Sequence, residues 1–425
     1  MRLLPTGAPR HRWLTASRCA AALILIAAHA RVAVAQTAAR PPDQPPVTAG
    51  WNDGFFLQTP NGDNRLQIGA VLQVDGRFAL DDPLPITNTF VMRKARPTFT
   101  GRVAKFIDFK LMPELAGSVT LLDAYFDIRF STKLRVRSGK DKTPVGYEML
   151  LGDAYLIFPE RSVVSLLVPN RDVGFQAQGD LAGGRLTYAG GIFNGNPVDG
   201  TSSTTDVDTN NGKDLAGRIL VYPFRSAGAT AHRLSNFGFH LGGSTGNQSG
   251  PLPTYRTSAG QGYFSFAPTV TADGRRNRVS PAVFLYLKRF GGFAEYARTT
   301  QDILNAGVPK TVTNQAWEVT ASYVLTGEST SERGVRPKSP FDPTAGTWGA
   351  VQVAARYGEL KIDGDIFAAD IAASNASRTA RQLTVGTDWF LNNYVKIYAT
   401  YERFTFSGSS RADENLILFR TQLAF

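Results

Sequence analysis

The densest positive charge in the sequence lies between Arg135 and Lys142, where Arg135, Arg137, Lys140 and Lys142 stand against a single acid, Asp141. Such a group attracts anions, because an arginine fork donates two hydrogen bonds at once to a phosphate or carboxylate and lysine adds a compact charge. Strand parity puts Arg135 and Arg137 on one face with Lys133, away from Leu134 and Val136. Lys110 stands opposite Ile107, Phe109 and Leu111, while Lys94, Arg96 and Arg102 share a parity opposite Phe99, Gly101 and Val103. Arg93 breaks that parity, which a bulge or a strand edge would accommodate. Asp123 and Asp127 share the charged face and are read as structural partners that hold the cations apart or in line. Any one of these cations could simply brace a wall through ion pairs. The group from Arg135 to Lys142, taken whole, fits better as the source of a field that guides anions through a narrow place.

Other chemistry finds little support. The single cysteine, Cys19, falls in the N-terminal leader, so thiol chemistry, disulfides and thiolate metal sites are not expected in the mature chain. Beyond the leader only His232 and His240 occur, with Ser235 and Asn236 as neighbours and no nucleophile-elbow pattern. A serine nucleophile needs a base and an orienting partner, and two histidines eight residues apart do not make a metal-ligand spacing. No catalytic residue, metal or cofactor is therefore assigned.

Along its length the chain alternates apolar and polar residues over about ten positions at a time, broken by Gly, Asn, Asp and Pro. Leu66, Ile68, Ala70, Leu72 and Val74 oppose Gln67, Gln73, Asp75 and Arg77; Ala124, Phe126, Ile128 and Phe130 oppose Asp123, Tyr125, Asp127 and Arg129. Leu383, Val385 and Trp389 oppose Gln382, Thr384 and Asp388, and Val395, Ile397 and Tyr401 oppose Lys396, Tyr398 and Glu402. Strands this long, with ranks of charge on one face, fit a transmembrane barrel with lipid outside and water inside better than a soluble sandwich or propeller. Aromatic residues at strand ends (Phe55 and Phe56, Phe290 and Phe293, Trp389 and Phe390, Phe404 and Phe406) are read as interfacial girdles. A last strand in which Ile417, Phe419, Thr421, Leu423 and Phe425 alternate with Leu418, Arg420, Gln422 and Ala424 points the same way. The expected fold is all-β, an antiparallel barrel of roughly fourteen to seventeen strands, and about sixteen given the even number of bacterial barrels.

The apolar run from Cys19 to Ala30 is too short for a membrane helix, and follows Arg2, Arg10, Arg12 and Arg18. It reads as a cleaved signal peptide over residues 1–35, with Ala33-Val34-Ala35 as the processing site. Residues 36–64 then form a polar, proline-rich segment and 65–425 the barrel. Removing the leader takes five of the 46 basic residues and none of the 35 acidic ones, leaving 41 against 35, or +6. An exported chain of that mild charge with no basic run is not expected to bind nucleic acid. Stretches 194–213, 243–277 and 327–346 read as external loops or connections, rich in Gly, Ser, Thr, Asn and Pro.

Several stretches also resemble a known family. Met92-Arg93-Lys94-Ala95-Arg96, then Gly101 and Phe109-Lys110, is similar to the opening of the phosphate-selective porin O and P family. So are Leu122-Asp123-Ala124-Tyr125, the run Leu134 to Pro144, Phe158-Pro159-Glu160-Arg161 and Pro169 to Gly174, with weaker echoes at 323–328 and 388–392. The chain departs in having Arg93-Lys94 where two arginines are usual, and Ser138 where Gly is preferred. The resemblance implies a trimeric outer-membrane porin of sixteen strands, with arginine and lysine guiding small anions such as phosphate past an inward-folded loop. That loop would begin at Lys140 and Lys142 and run to about Arg161. A general diffusion porin without phosphate preference, or a surface receptor barrel, are the competing expectations.

Overall fold

Period-two alternation turns every second side chain to the same side of a sheet, and in the computed structural model the sheet closes on itself. Residues 47–80, 86–195, 208, 210–225, 232–368 and 371–425 are described; the expected signal peptide and the segment from Arg40 to Pro46 lie outside them. Sixteen antiparallel strands form the ring: β1 Arg65–Ala79, β2 Thr89–Val103, β3 Ile107–Glu114, β4 Thr120–Arg129, β5 Arg135–Lys142, β6 Arg171–Leu181, β7 Leu186–Phe193 and β8 Asp214–Val221. They continue as β9 Phe237–Gly250, β10 Val270–Leu287, β11 Phe290–Asn305, β12 Val308–Val324, β13 Ala350–Lys361, β14 Thr379–Phe390, β15 Val395–Ser407 and β16 Glu414–Ala424. Each strand pairs with its neighbours in the chain, and β16 pairs back onto β1 from Leu416↔Ala79 to Ala424↔Val71. Closure leaves the barrel wall without a free edge, the condition for a sheet to sit in lipid.

The faces divide as the alternation requires. Leu72, Val74, Phe126, Leu383, Val385, Ile417 and Phe419 are exposed on the outside, whereas Gln73, Asp75, Asp123, Asp127, Gln382, Thr384 and Glu402 are buried on the inside. Arg93 is the extra residue of a bulge: Gln73 pairs with Lys94 and Val74 with Met92, so its side chain joins those of Lys94 and Arg96 inside. The aromatic pairs read as girdles split between the two faces. Phe55 and Phe290 are exposed, but Phe293 and Phe390 are buried in the interior, because residues an odd number apart in a strand point to opposite sides, and Phe404 and Phe406, two apart, both face the interior core.

Three segments differ from the expectation. Residues 48–58, inside the stretch read as a polar segment, form a hairpin, Thr48–Trp51 with Phe55–Gln58. Its second strand pairs with Arg65–Ile68 of β1, continuing the ladder at the point where β16 stops. The stretch 243–277 is wall only at its two ends: β9 runs to Gly250 and β10 starts at Val270, so the connection itself is confined to 251–269. The connection 325–349 is not external. It leaves at the end of the barrel that carries Phe425 and turns inward, where Glu332 accepts hydrogen bonds from the Tyr147 and Tyr222 hydroxyls, each at 3.1 Å.

Candidate channel constriction

The interior is divided by residues 143–170, the connection between β5 and β6. Lys140 and Lys142 close β5, so this loop begins at Thr143 and extends beyond Arg161. It carries a single helical turn, α1 (Tyr147–Leu150), and a 3-10 turn at Val163–Leu167. The apolar Val163, Val164 and Leu167 are buried with Ala297, Ala316 and Leu360 of β11, β12 and β13, which anchors the loop on the far side of the ring. That run of valine and leucine is why the loop outlasts the expected boundary: its only route out of water is across the lumen onto the opposite wall.

Polar ties hold the loop from the remaining directions. Glu295 accepts from the backbone N–H groups of Tyr147 and Glu148, both at 2.8 Å. The Arg356 guanidinium meets Glu148 at 2.5 Å and donates to the Glu160 carbonyl at 2.9 Å. Glu160 accepts from Arg93 at 2.8 and 3.0 Å and from Arg420 at 2.8 Å, and Arg420 also clasps Asp75. Lys396 and Tyr398 donate to the Leu156 carbonyl at 2.9 and 3.1 Å. Asp153 pairs with Lys94 at 3.3 Å, Arg161 at 2.7 Å and Arg96. Burial alone would raise both loop carboxyls. Instead Lys94 and Arg161 hold Asp153, and Arg93 and Arg420 hold Glu160, well below the usual carboxylate range.

Beside the loop lies a cavity of about 480 Å³ that opens toward the end carrying Phe425. Eight basic side chains line it, Arg96, Lys110, Lys142, Arg171, Arg218, Arg333, Arg336 and Lys396, against the four carboxylates of Asp53, Asp123, Asp141 and Asp153. A second opening shares Gln67, Thr100 and Lys110 with it and adds Arg65, Arg102, Arg135 and Arg137 against Asp108 and Asp127. The wall cations of the two openings come from β1, β2, β3, β5, β6, β8 and β15, while β4 supplies Asp123 and Asp127. In a narrow aqueous passage bounded by low-dielectric protein, such an excess concentrates anions.

The residues singled out in the sequence divide by environment. Arg137 lies against Asp127 at 2.7 Å and over the Tyr125 ring, Lys110 against Asp123 at 2.7 Å, and Arg96 against Glu114 at 2.5 Å. Asp123 also takes Arg171 at 2.5 Å. Lys142 donates to the carbonyls of Met149 and Leu151 at 2.6 and 2.8 Å and is tied to the loop rather than to an acid. Lys94 is buried behind Asp153 and lines neither opening. Lys140 also lines neither; it is buried, paired across the ladder with Ala124 and Val173. Arg135 and Arg218 are different: among the described residues no carboxylate pairs with either, and the Nε of each is buried without a hydrogen-bond partner. Sequence reasoning missed Arg218 although Leu215 and Ile219 around it alternate as wall residues, and it missed Arg333 and Arg336 because nothing in their loop signals an inward fold. His232 sits in the turn between β8 and β9, and His240 faces inward beside Tyr147. Among the described residues no cluster of three or more His, Cys, Asp or Glu is arranged to hold a metal ion.

Solved structures with the same fold include outer-membrane proteins of three bacteria. The channel DcaP of Acinetobacter baumannii superposes with a TM-score of 0.57 at 11% identity, covering 89% of this chain and 100% of that one. The anion-selective porin of Comamonas acidovorans gives 0.54 at 11% identity, with 85% and 100% covered. The trimer form of OmpT of Vibrio cholerae gives 0.52 at 11%, with 85% and 99% covered. Identities this low establish the architecture alone. No curated protein matches the sequence significantly. The family model for phosphate-selective porin O and P matches residues 67–425, all of the barrel except the first two residues of β1, so the chain belongs to that family of outer-membrane porins.

Proposed function

We propose that this porin passes small anions such as phosphate by passive diffusion, through a water-filled channel whose arginine and lysine side chains set the selectivity. The observation that carries the reading is the surplus of cations beside the loop, above all Arg135 and Arg218, neither of which forms an ion pair with a carboxylate among the described residues. A guanidinium kept inside a wall without a partner costs stability, so a brace alone does not account for it. Arg135, Arg137, Lys142, Lys110 and Arg96 then supply the field together with Arg171 and Arg218. Lys94 and Lys140 contribute from behind the lining, and Asp123 and Asp127 keep the cations extended. The protein acts as a channel, not an enzyme, embedded in outer-membrane lipid after export. A homotrimer is the assembly this reading carries, in keeping with the trimer form of a protein of the same fold.

The test is reversal potential across a planar bilayer containing the refolded protein, in a gradient of KCl, followed by titration of phosphate against the chloride current. Anion selectivity with block by phosphate supports the proposal. A conducting pore with neither would make it a general diffusion channel, and a folded barrel without conductance would refute the pore reading.

A further inference from the structure

The outer face of the wall carries a polar row that the channel does not use. Starting from the end that holds Phe425, the outward residues of β11 are Phe290, Gly292, Ala294 and Tyr296, and those of β12 are Tyr323, Ala321, Val319 and Trp317. On β13 they are Val351, Val353, Ala355 and Tyr357. Each series is apolar and finishes on a polar-tipped ring, with Trp317 and Tyr357 5.6 Å apart. Beyond the rings Arg298, Gln315 and Lys361 stand side by side in the ladder, all three exposed. Among the described residues neither cation forms an ion pair. Two carboxylates on the same face are engaged elsewhere: Glu359 takes Arg381 at 2.7 Å, and Asp302 accepts from the Thr311 hydroxyl at 2.6 Å and the Arg275 N–H at 3.0 Å.

The height of the row decides what it can meet. It lies toward the end that carries the connections 143–170, 251–269 and 362–378, and long loops mark the cell exterior in such barrels. Outward Tyr and Trp mark headgroup depth, so cations just past them stand among the phosphates of the outer leaflet. They point away from the lumen, out of reach of a solute in transit. With strands about 4.8 Å apart, Arg298 and Lys361 flank Gln315 closely enough for their long side chains to converge on one phosphate. The Gln315 carbonyl accepts from the Tyr296 hydroxyl at 3.1 Å, which leaves its amide N–H groups to donate. We infer that Arg298, Gln315 and Lys361 form a docking site for the anionic phosphate of a lipid headgroup in the outer leaflet, with the acyl chains lying over Trp317 and Tyr357.

Trp317 is a built-in reporter. Trp13 belongs to the expected leader, Trp51 packs on Phe425, and Trp348 packs on Trp389 at the Phe425 end of β14. The full barrel is folded into phosphatidylcholine vesicles that contain a minor fraction of lipid brominated in the acyl chain, either phosphatidic acid or phosphatidylcholine. The signal is the fluorescence lost on Trp317→Phe. Its half-quenching should need about fivefold or more less brominated phosphatidic acid than brominated phosphatidylcholine, since each basic residue near a membrane surface contributes about that factor. Arg298→Gln combined with Lys361→Gln should bring the two lipids together, and each single variant should lose part of the preference. Unchanged quenching by phosphatidylcholine shows that a variant has inserted. Equal quenching of the wild type by both lipids, or a preference that survives in the inserted variants, overturns the inference.

Discussion

Replacing Arg218 by Gln removes a wall charge without stranding a carboxylate, since no acid among the described residues pairs with it. Its effect can therefore be read as a change of field rather than of fold. An anion about 6 Å from a guanidinium gains about 0.7 kcal/mol at the permittivity of bulk water, and about 2.8 kcal/mol at the value of 20 typical of charge pairs near protein surfaces. A hydrated passage is closer to the first figure, about threefold in the anion's local concentration. A cation is disfavoured by the same factor, so the anion-to-cation permeability ratio should fall about tenfold. The assay is reversal potential at about 0.1 M salt, where the Debye length is near 10 Å; near 1 M it shrinks to about 3 Å and the difference should vanish. Arg135→Gln, with the same lack of an acid partner, should act in the same direction at the second opening. A reversal potential unchanged at low salt in both variants, with folding intact, would refute the assignment of the field to these side chains.

Glu160→Ala leaves Arg93 and Arg420 without their shared loop carboxylate; loss of one partner from a fully buried pair costs about 3–5 kcal/mol, and the cost here is smaller because Arg93 is partly exposed and Arg420 keeps Asp75. The loop should loosen, seen as noisier single-channel current and faster proteolysis within 143–170. The depressed carboxyls of Asp153 and Glu160 fix the sign of a pH effect. Their stabilisation is complete above the unfolded carboxyl range of about 4 and is lost as pH falls through the lower folded values. Channel noise should stay level from pH 7 to about 4 and rise only below it; a rise near pH 6 would contradict this. Gly242→Ala places a methyl 2.0 Å from the Val145 carbonyl, so the loop root must move and mean conductance should change. Phe126→Arg sets a charge on the exposed face of β4, where the cost at mid-membrane is about 2–4 kcal/mol, measured as reduced folding yield into bilayers.

Much of the wall could be read from the sequence because a barrel strand obeys a local rule. Period two decides which side each residue faces, and lipid on one side with water on the other makes that choice chemical. Leu66 to Val74, Leu122 to Phe130 and the last strand were legible for this reason, and so was the break of parity at Arg93, which a bulge rather than a strand edge takes up. The same rule, applied more strictly, would also have sent Phe293, Phe390 and Phe404 inward. What the rule cannot reach is how segments outside the strands use the space that closure creates. The loop 143–170 crosses the lumen because Val163, Val164 and Leu167 find an apolar seat on β11 to β13, strands formed well over a hundred residues later. Arg333 and Arg336 line the cavity because Glu332 meets Tyr147 and Tyr222, which lie 185 and 110 positions earlier in the chain but adjacent to it once the ring has closed. Pairing is likewise a matter of distance across the sheet: Arg137 and Lys110 meet aspartates on a neighbouring strand, whereas Arg135 and Arg218, of the same residue types and parity, do not. Charge and alternation, being local, determined the barrel and its basic lining; which cations remain free, and what narrows the passage, was decided only by contacts that exist after closure.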